Sequence, residues 1–140
     1  MKGINGFTLI EVLFTLFIVS IVSVLFIPNM LQVIERQQTK HFFEIFNSDI
    51  LMIQNKSIGE ERNIRIRLRT DHYLIMDERE LIVQREYPMH LTYIEGTNNI
   101  ITFNNTGTMM NPRTFHFRER NKAYLVVFPL GKGRHYIEEM

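Results

Sequence analysis

Gly6-Phe7-Thr8-Leu9-Ile10-Glu11-Val12-Leu13 opens an apolar run that continues to Ile27 and stops at Pro28. Six residues precede it, with Lys2 as their one charged side chain. Residues 7–27 carry a single ionisable side chain, Glu11. As an α-helix rising ~1.5 Å per residue, that run extends roughly 31 Å, about the thickness of the hydrocarbon core of a bilayer. The spacing therefore predicts one membrane-spanning helix, followed by a polar, patterned chain that can fold in water. Lys2 places the N-terminus in the cytoplasm by the positive-inside tendency and the rest of the chain outside.

Glu11 is the informative exception. It lies about one helical turn inside the apolar run, where an acidic group costs ~2.5 kcal/mol or more on insertion scales. Two readings account for it. Glu11 is close enough to the helix start to reach the interface or to be protonated. Alternatively, it meets a positive charge on another molecule inside the membrane. If the chain is cut after Gly6, the new terminus at Phe7 supplies an amine within a turn of Glu11. Two such helices, one shifted along its axis, can then pair amine with carboxylate. In a low-dielectric medium that pairing is strong relative to leaving either charge alone.

The letters Gly6-Phe7-Thr8-Leu9-Ile10-Glu11, behind a basic Lys2 and ahead of an uninterrupted apolar helix, resemble the class III signal of type IV pilins and pseudopilins. The resemblance implies that a membrane aspartyl peptidase, the prepilin peptidase, cuts between Gly6 and Phe7 on the cytoplasmic side. It also implies N-methylation of Phe7 by the same enzyme and docking into a helical filament guided by Glu11. Gly6 is then needed because the peptidase accepts little side chain there. Pro28 sits where pilins commonly carry a proline. The implied partners are other major and minor pilins, with a membrane platform protein and an assembly ATPase acting indirectly. An ordinary secretory signal is the competing reading, but it places small residues after the apolar core. Here Ile27-Pro28-Asn29 follows instead. The close match covers roughly residues 1–30; beyond that the likeness is one of layout.

Composition narrows the rest. One hundred and forty residues suit one domain plus an anchor. A net charge of +1 gives no global field for nucleic acid or anionic lipid. The absence of Cys removes disulfides, thiolate catalysis and Cys-based zinc sites together.

Beyond the span, Pro28 removes a helical hydrogen bond and clashes with the carbonyl of Val24, predicting a kink or local unwinding rather than a stop. Thr15, Ser20 and Ser23 either let helices approach closely in lipid or are tolerated filler. Phe42, Phe46, Ile50 and Ile53 recur at helical spacing, one apolar face that reads as core rather than as a partner-binding stripe. Gly59 is the expected stop, after Ile58. From there short alternating runs and turn clusters predict strands. Asn63 to Arg69 alternates strictly, Tyr124 to Phe128 reads as the most buried strand, and Arg134 to Ile137 as a last edge strand. The expected fold is α+β: a long N-terminal helix, transmembrane in its first half and amphipathic in its second, packed on a mostly antiparallel β-sheet head. The expected divisions are a cleaved leader over 1–6, the span over 7–27, a helical spine over 28–58 and a β-rich head over 59–140.

No catalytic constellation emerges. The five His residues, at 41, 72, 90, 116 and 135, show no metal-ligand spacing, and no G-x-S-x-G elbow is present. Gly131-Lys132-Gly133 lacks the rest of a phosphate loop. The expectation is a non-enzymatic protein with no cofactor and no metal. Arg65, Arg67 and Arg69 share one face of a strand and could grip DNA phosphates. Equally, a solvated face carries such charge, edge strands use charge to block aggregation, and Asp77, Glu78 and Glu80 stand near in sequence.

The functional reading is a minor pilin or pseudopilin. The short leader and small Cys-free head look most like the ComGD-type minor pilins of Gram-positive competence machines, which import DNA. Type II secretion pseudopilins of the H-like sort, and a single-pass surface receptor with no filament role, stay open as alternatives.

Overall fold

The computed structural model describes residues 6–58, 64–120, 122–130 and 134–140, with the side chains of 25–29 outside the description. Among the described residues one helix, α1 (Leu9–Ser57), is followed by eight strands. The chain divides into two compact units, Met1–Gln37 and Gln38–Met140.

In the first unit α1 presents its apolar side chains outward. Phe7, Leu9, Ile10, Leu13 and Phe14 are all exposed over more than half their surface. Its hydroxyls are turned back on the helix: Thr15 Oγ1 donates to the carbonyls of Glu11 and Val12, each at 2.9 Å, Ser20 to Leu16 and Ser23 to Val19, each at 2.8 Å. Among the described residues no helix is long and apolar enough to cross a membrane. The span expected over 7–27 runs into residues 25–27, whose side chains lie outside the description. Pro28 falls within the bounds of α1, and its side chain lies outside the description as well.

The second unit holds the rest of α1 with β1 (Ile64–Leu68), β2 (His72–Asp77), β3 (Glu80–Glu86), β4 (Leu91–Ile94), β5 (Ile100–Thr102), β6 (Thr114–Glu119), β7 (Lys122–Val127) and β8 (Tyr136–Glu139). They form two four-stranded sheets, ordered β3-β2-β1-β5 and β4-β6-β7-β8, and every pairing is antiparallel. The single sheet expected from sequence is thus two. The chain first changes sheets after β3, at Tyr87-Pro88, where Pro88 cannot donate to a ladder, and it returns to the first sheet for β5 before entering the second again at β6.

The helical stripe read from sequence is the core. Phe46, Ile50 and Ile53 are fully buried, and Phe42 nearly so. Phe46 joins the two sheets, with ring centroids 5.1 Å from Tyr73 of β2 and 5.9 Å from Phe117 of β6. Phe117 also touches Phe42, Phe43, Tyr87 and Tyr93 at 5.4–6.1 Å. A cluster of edge-to-face rings thus replaces the cross-links that a Cys-free chain lacks. Each fully buried large apolar side chain contributes about 1.5–3 kcal/mol, so the Phe and Ile content is what holds the unit together. Strict alternation in β1 buries Ile64, Ile66 and Leu68 as expected.

Three expectations are corrected. The helix starts at Leu9 rather than Phe7, although it ends at Ser57, within a residue of the expected stop; Gly59 lies outside the described residues. The apolar run of β7 is buried on one face only: Tyr124 and Val126 are inside, while Leu125 and Val127 are half-exposed on the face away from the core. Its continuous apolar letters reflect β-branched and aliphatic preference for a sheet's interior strand rather than burial on both sides. Finally, β1 is not an edge strand but lies between β2 and β5. Protection of an edge therefore does not explain its arginines.

Candidate processing and assembly site

Thr8 and Glu11 build the start of α1. The Thr8 Oγ1 accepts from the Glu11 backbone N–H at 3.4 Å. In return, the Glu11 Oε2 accepts from both the N–H and the hydroxyl of Thr8, each at 2.9 Å. The Thr8 carbonyl takes the first helical bond, from the N–H of Val12 at 3.2 Å. This is a capping box, T-x-x-E, in which the first turn's orphan donors and a carboxylate satisfy one another. The acid also lies at the positive end of the helix dipole. Sequence reading gave Glu11 two possible roles and missed this third one, although the spacing Thr8-Leu9-Ile10-Glu11 carries the signature.

The consequence for chemistry is that Glu11 is engaged but exposed. Both its partners are on its own chain and lie in its own first turn. An open groove runs beside it, lined by Phe7, Ile10, Leu13, Phe14, Thr15 and Phe17, nearly all apolar. A cation brought along that groove meets one carboxylate in an apolar setting. Immediately before the box, Phe7 is 82% exposed and a side chain at Gly6 would meet nothing within 4 Å. Among the described residues nothing packs against the bond between Gly6 and Phe7, and none of them requires glycine at position 6.

The structure does not gather Arg65, Arg67 and Arg69 into one free cationic face. Arg65 Nη2 donates to the backbone carbonyl of Glu78 in the β2–β3 turn, and its buried Nε has no hydrogen-bond partner among the described residues. Arg67 is half-buried, opposite Leu74 of β2 and Ile100 of β5, where its stem covers apolar surface. Arg69 lies past the end of β1 and is exposed. A shallow groove lined by Arg65, Glu78, Arg79 and Thr102 mixes both signs of charge.

One hydroxyl–imidazole–carboxylate grouping was not legible in sequence. Thr39 Oγ1 of α1 donates to Glu119 Oε2 at 3.1 Å, and lies 2.9 Å from His90 Nε2. Thr39 has one hydroxyl proton, so His90 Nε2–H must donate to it, giving a chain from imidazole through hydroxyl to carboxylate. Thr39 is 1% exposed. Glu119 Oε1 lies 3.8 Å from the same imidazole nitrogen. The chain ties α1 to the end of β6 and to the segment before β4.

Residues 1–27 match the family model described as the prokaryotic N-terminal methylation motif. No curated protein matches the chain, and no solved structure does.

Proposed function

We propose that this chain, whose residues 1–27 carry the methylation motif of type IV pilin-like precursors, is a minor subunit of a membrane-anchored helical filament. The reading rests on one observation: a carboxylate one turn inside an apolar helix, immediately behind an open Gly6–Phe7 bond. Prepilin peptidase removes residues 1–6 and methylates the amine of Phe7. The apolar segment over 7–27 holds the subunit in the membrane, N-terminus toward the cytoplasm, until assembly. The mature amine and Glu11 of adjacent subunits then set the axial register, and Pro28 lets the helix adjust where it leaves the lipid. Other pilins surround it; a platform protein and an ATPase drive its insertion.

The filament we favour is a competence pilus of the ComGD-type kind, which serves DNA uptake. The short leader, the small Cys-free head and the high Phe and Ile content support it. A type II secretion pseudopilin and a single-pass receptor are the alternatives. DNA contact through Arg65, Arg67 and Arg69 is the weakest part of the reading, because Arg65 is engaged with Glu78 and Arg67 lies half-buried over its neighbours. Salt-sensitive DNA retention that survives an Arg65/Arg67/Arg69→Ala triple substitution removes it.

The deciding experiment is mass spectrometry of the mature N-terminus in cells with and without prepilin peptidase. The expected species begins at Phe7 and carries one added methyl group, and it is lost when the peptidase is absent. Protein that remains intact from Met1 in working cells overturns the assignment.

A further inference from the structure

Two four-stranded sheets have four lateral edges; two of them are bonded from within and a third is interrupted by a bulge. On β3, Ile75 pairs with Val83 and Met76 with Leu81, so Ile82 is an extra residue that bulges the edge. On β4, the outward N–H of Leu91 is taken by the Pro88 carbonyl at 2.8 Å and that of Tyr93 by the Thr70 carbonyl at 3.0 Å. On β5, the Thr102 carbonyl accepts from the Met110 N–H at 2.9 Å, and Phe103 pairs with Met109.

The fourth edge, β8, is different. Ala123 and Met140 exchange both their backbone hydrogen bonds, at 2.8 and 3.2 Å. Given the register Leu125↔Glu138 and Val127↔Tyr136, the alternation of an antiparallel ladder turns the backbone of Tyr136, Glu138 and Met140 toward β7. The N–H and C=O groups of Ile137 and Glu139 then point away from the sheet. Among the described residues nothing covers them. The strand is regular, without a bulge or a proline.

We infer that β8 is the edge to which a strand of a different subunit adds, and that this incoming strand is basic. Charge complementarity selects the occupant. Glu138 is exposed on the outer face, and Glu139, on the core face, is shared with Lys122. Two copies of β8 paired antiparallel about Glu138 or Glu139 would bring acid against acid, which is destabilising, and only the register centred on Ile137 escapes it. The same acids favour a strand with Lys or Arg opposite Glu138. The acidic edge thus disfavours its own copy and admits a basic partner. The inference extends the filament reading to a second contact, outside the N-terminal helix. Its test uses the isolated chain, so it can fail while the processing test succeeds.

The probe is a blocked heptapeptide of alternating Lys and Val, with alternating Glu and Val as the control, added to the full-length chain in detergent micelles. Binding is read by fluorescence anisotropy and by amide hydrogen exchange. The expected result is selective binding of the Lys peptide with new protection at the amides of Ile137 and Glu139. Glu139→Pro removes an outward N–H and the side chain shared with Lys122 but no hydrogen bond to β7, and affinity falls by at least about tenfold, whereas Glu139→Gln, which keeps the N–H, retains binding. Glu138→Lys reverses the preference between the two peptides. Failure of the Lys peptide to protect those two amides at saturating concentration overturns the inference. So does binding that Glu139→Pro leaves unchanged while circular dichroism shows the fold intact.

Discussion

Arg85 of β3 reaches Asp49 of α1 through a two-point contact, Nε to Oδ2 at 2.6 Å and Nη2 to Oδ1 at 3.3 Å. The same Oδ2 accepts from the buried hydroxyl of Tyr73 at 2.6 Å. One carboxylate therefore pins the outermost strand of the first sheet and its neighbour β2 to the helix. The two partners are unequal. Asp49 is 9% exposed in its side chain and Arg85 41%, so water replaces the arginine far more readily than the acid. Asp49→Ala should cost about 2–4 kcal/mol, because it strands the Tyr73 hydroxyl. Arg85→Ala should cost about 1 kcal/mol or less. Asp49→Asn, which can still accept from Tyr73, should fall between. Urea unfolding of the full chain in micelles, followed by circular dichroism, gives the order.

The pH dependence has two arms. Burial and the bond to Asp49 raise the Tyr73 pKa, and burial raises that of Tyr87, both well above the ordinary tyrosine value of about 10. A raised folded pKa contributes stability that is present below pH ~10 and is lost as pH climbs through the folded value. Burial lowers the His135 pKa below its ordinary 6.5, with the ring stacked 5.1 Å from Phe128. A lowered base contributes stability above pH ~6.5 that is lost as pH falls toward the folded value. Stability should therefore be highest near neutrality. His135→Phe should flatten the fall between pH 6.5 and 5 without touching the alkaline arm. Tyr87→Phe should change stability by less than about 1 kcal/mol, because among the described residues the buried Tyr87 hydroxyl makes no well-formed hydrogen bond and only approaches the Arg69 backbone, whose N–H donates to His72. Melting curves across pH for the two variants check both arms.

Gly107 closes the loop that clasps the end of α1. It adopts φ +72°, and its carbonyl accepts from Gln54 Nε2 at 2.7 Å. An added Cβ would meet Ile58 Cδ1 at 2.9 Å. Ile58 is 53% exposed, so its tip can swing away. The cost of Gly107→Ala should then be the left-handed backbone itself, about 1–2 kcal/mol. Removing the clash with Ile58→Ala in the same chain should recover little of it. Gly107→Asn, a residue that tolerates this conformation, should cost less. Chemical denaturation of the three variants separates backbone strain from crowding.

What was legible in the sequence follows the strength of the local signal. Phe42, Phe46, Ile50 and Ile53 announced the core face because helical periodicity depends on a single element. The alternation of Ile64, Ile66 and Leu68 did the same for β1. Which strand lies beside which is decided by contacts distant in sequence, and the two-sheet division and the interior place of β1 were accordingly missed. So was the Thr39–His90–Glu119 chain, whose members are spread over some 80 residues. Arg65, Arg67 and Arg69 looked alike because alternation puts them on one face. Their neighbours, the Glu78 carbonyl for one and the flanking strands for another, made them unlike. The capping box could have been read from Thr8-Leu9-Ile10-Glu11, but the apolar run around it drew attention to the cost of the acid rather than to its local partner.

That box makes substitutions at Glu11 separable. Glutamine fills the same position of a capping box and still accepts from Thr8, but carries no charge. Valine loses both. If Glu11 serves only to start the helix, Glu11→Gln should keep filament assembly and Glu11→Val should lose it in part, at a cost of about 1 kcal/mol of helix start. If its charge meets the Phe7 amine of a neighbouring subunit, as we propose, both variants should fail to assemble while both are still cut after Gly6. Thr8→Val supplies the converse. It removes the hydroxyl, one of the two donors that hold Glu11 locally, while the backbone N–H and the charge stay, so assembly should persist. The yield of sheared filaments, measured beside the mass of each mature N-terminus, reads all three variants. Filaments built normally from the Glu11→Gln subunit would leave the carboxylate with no role beyond its own first turn.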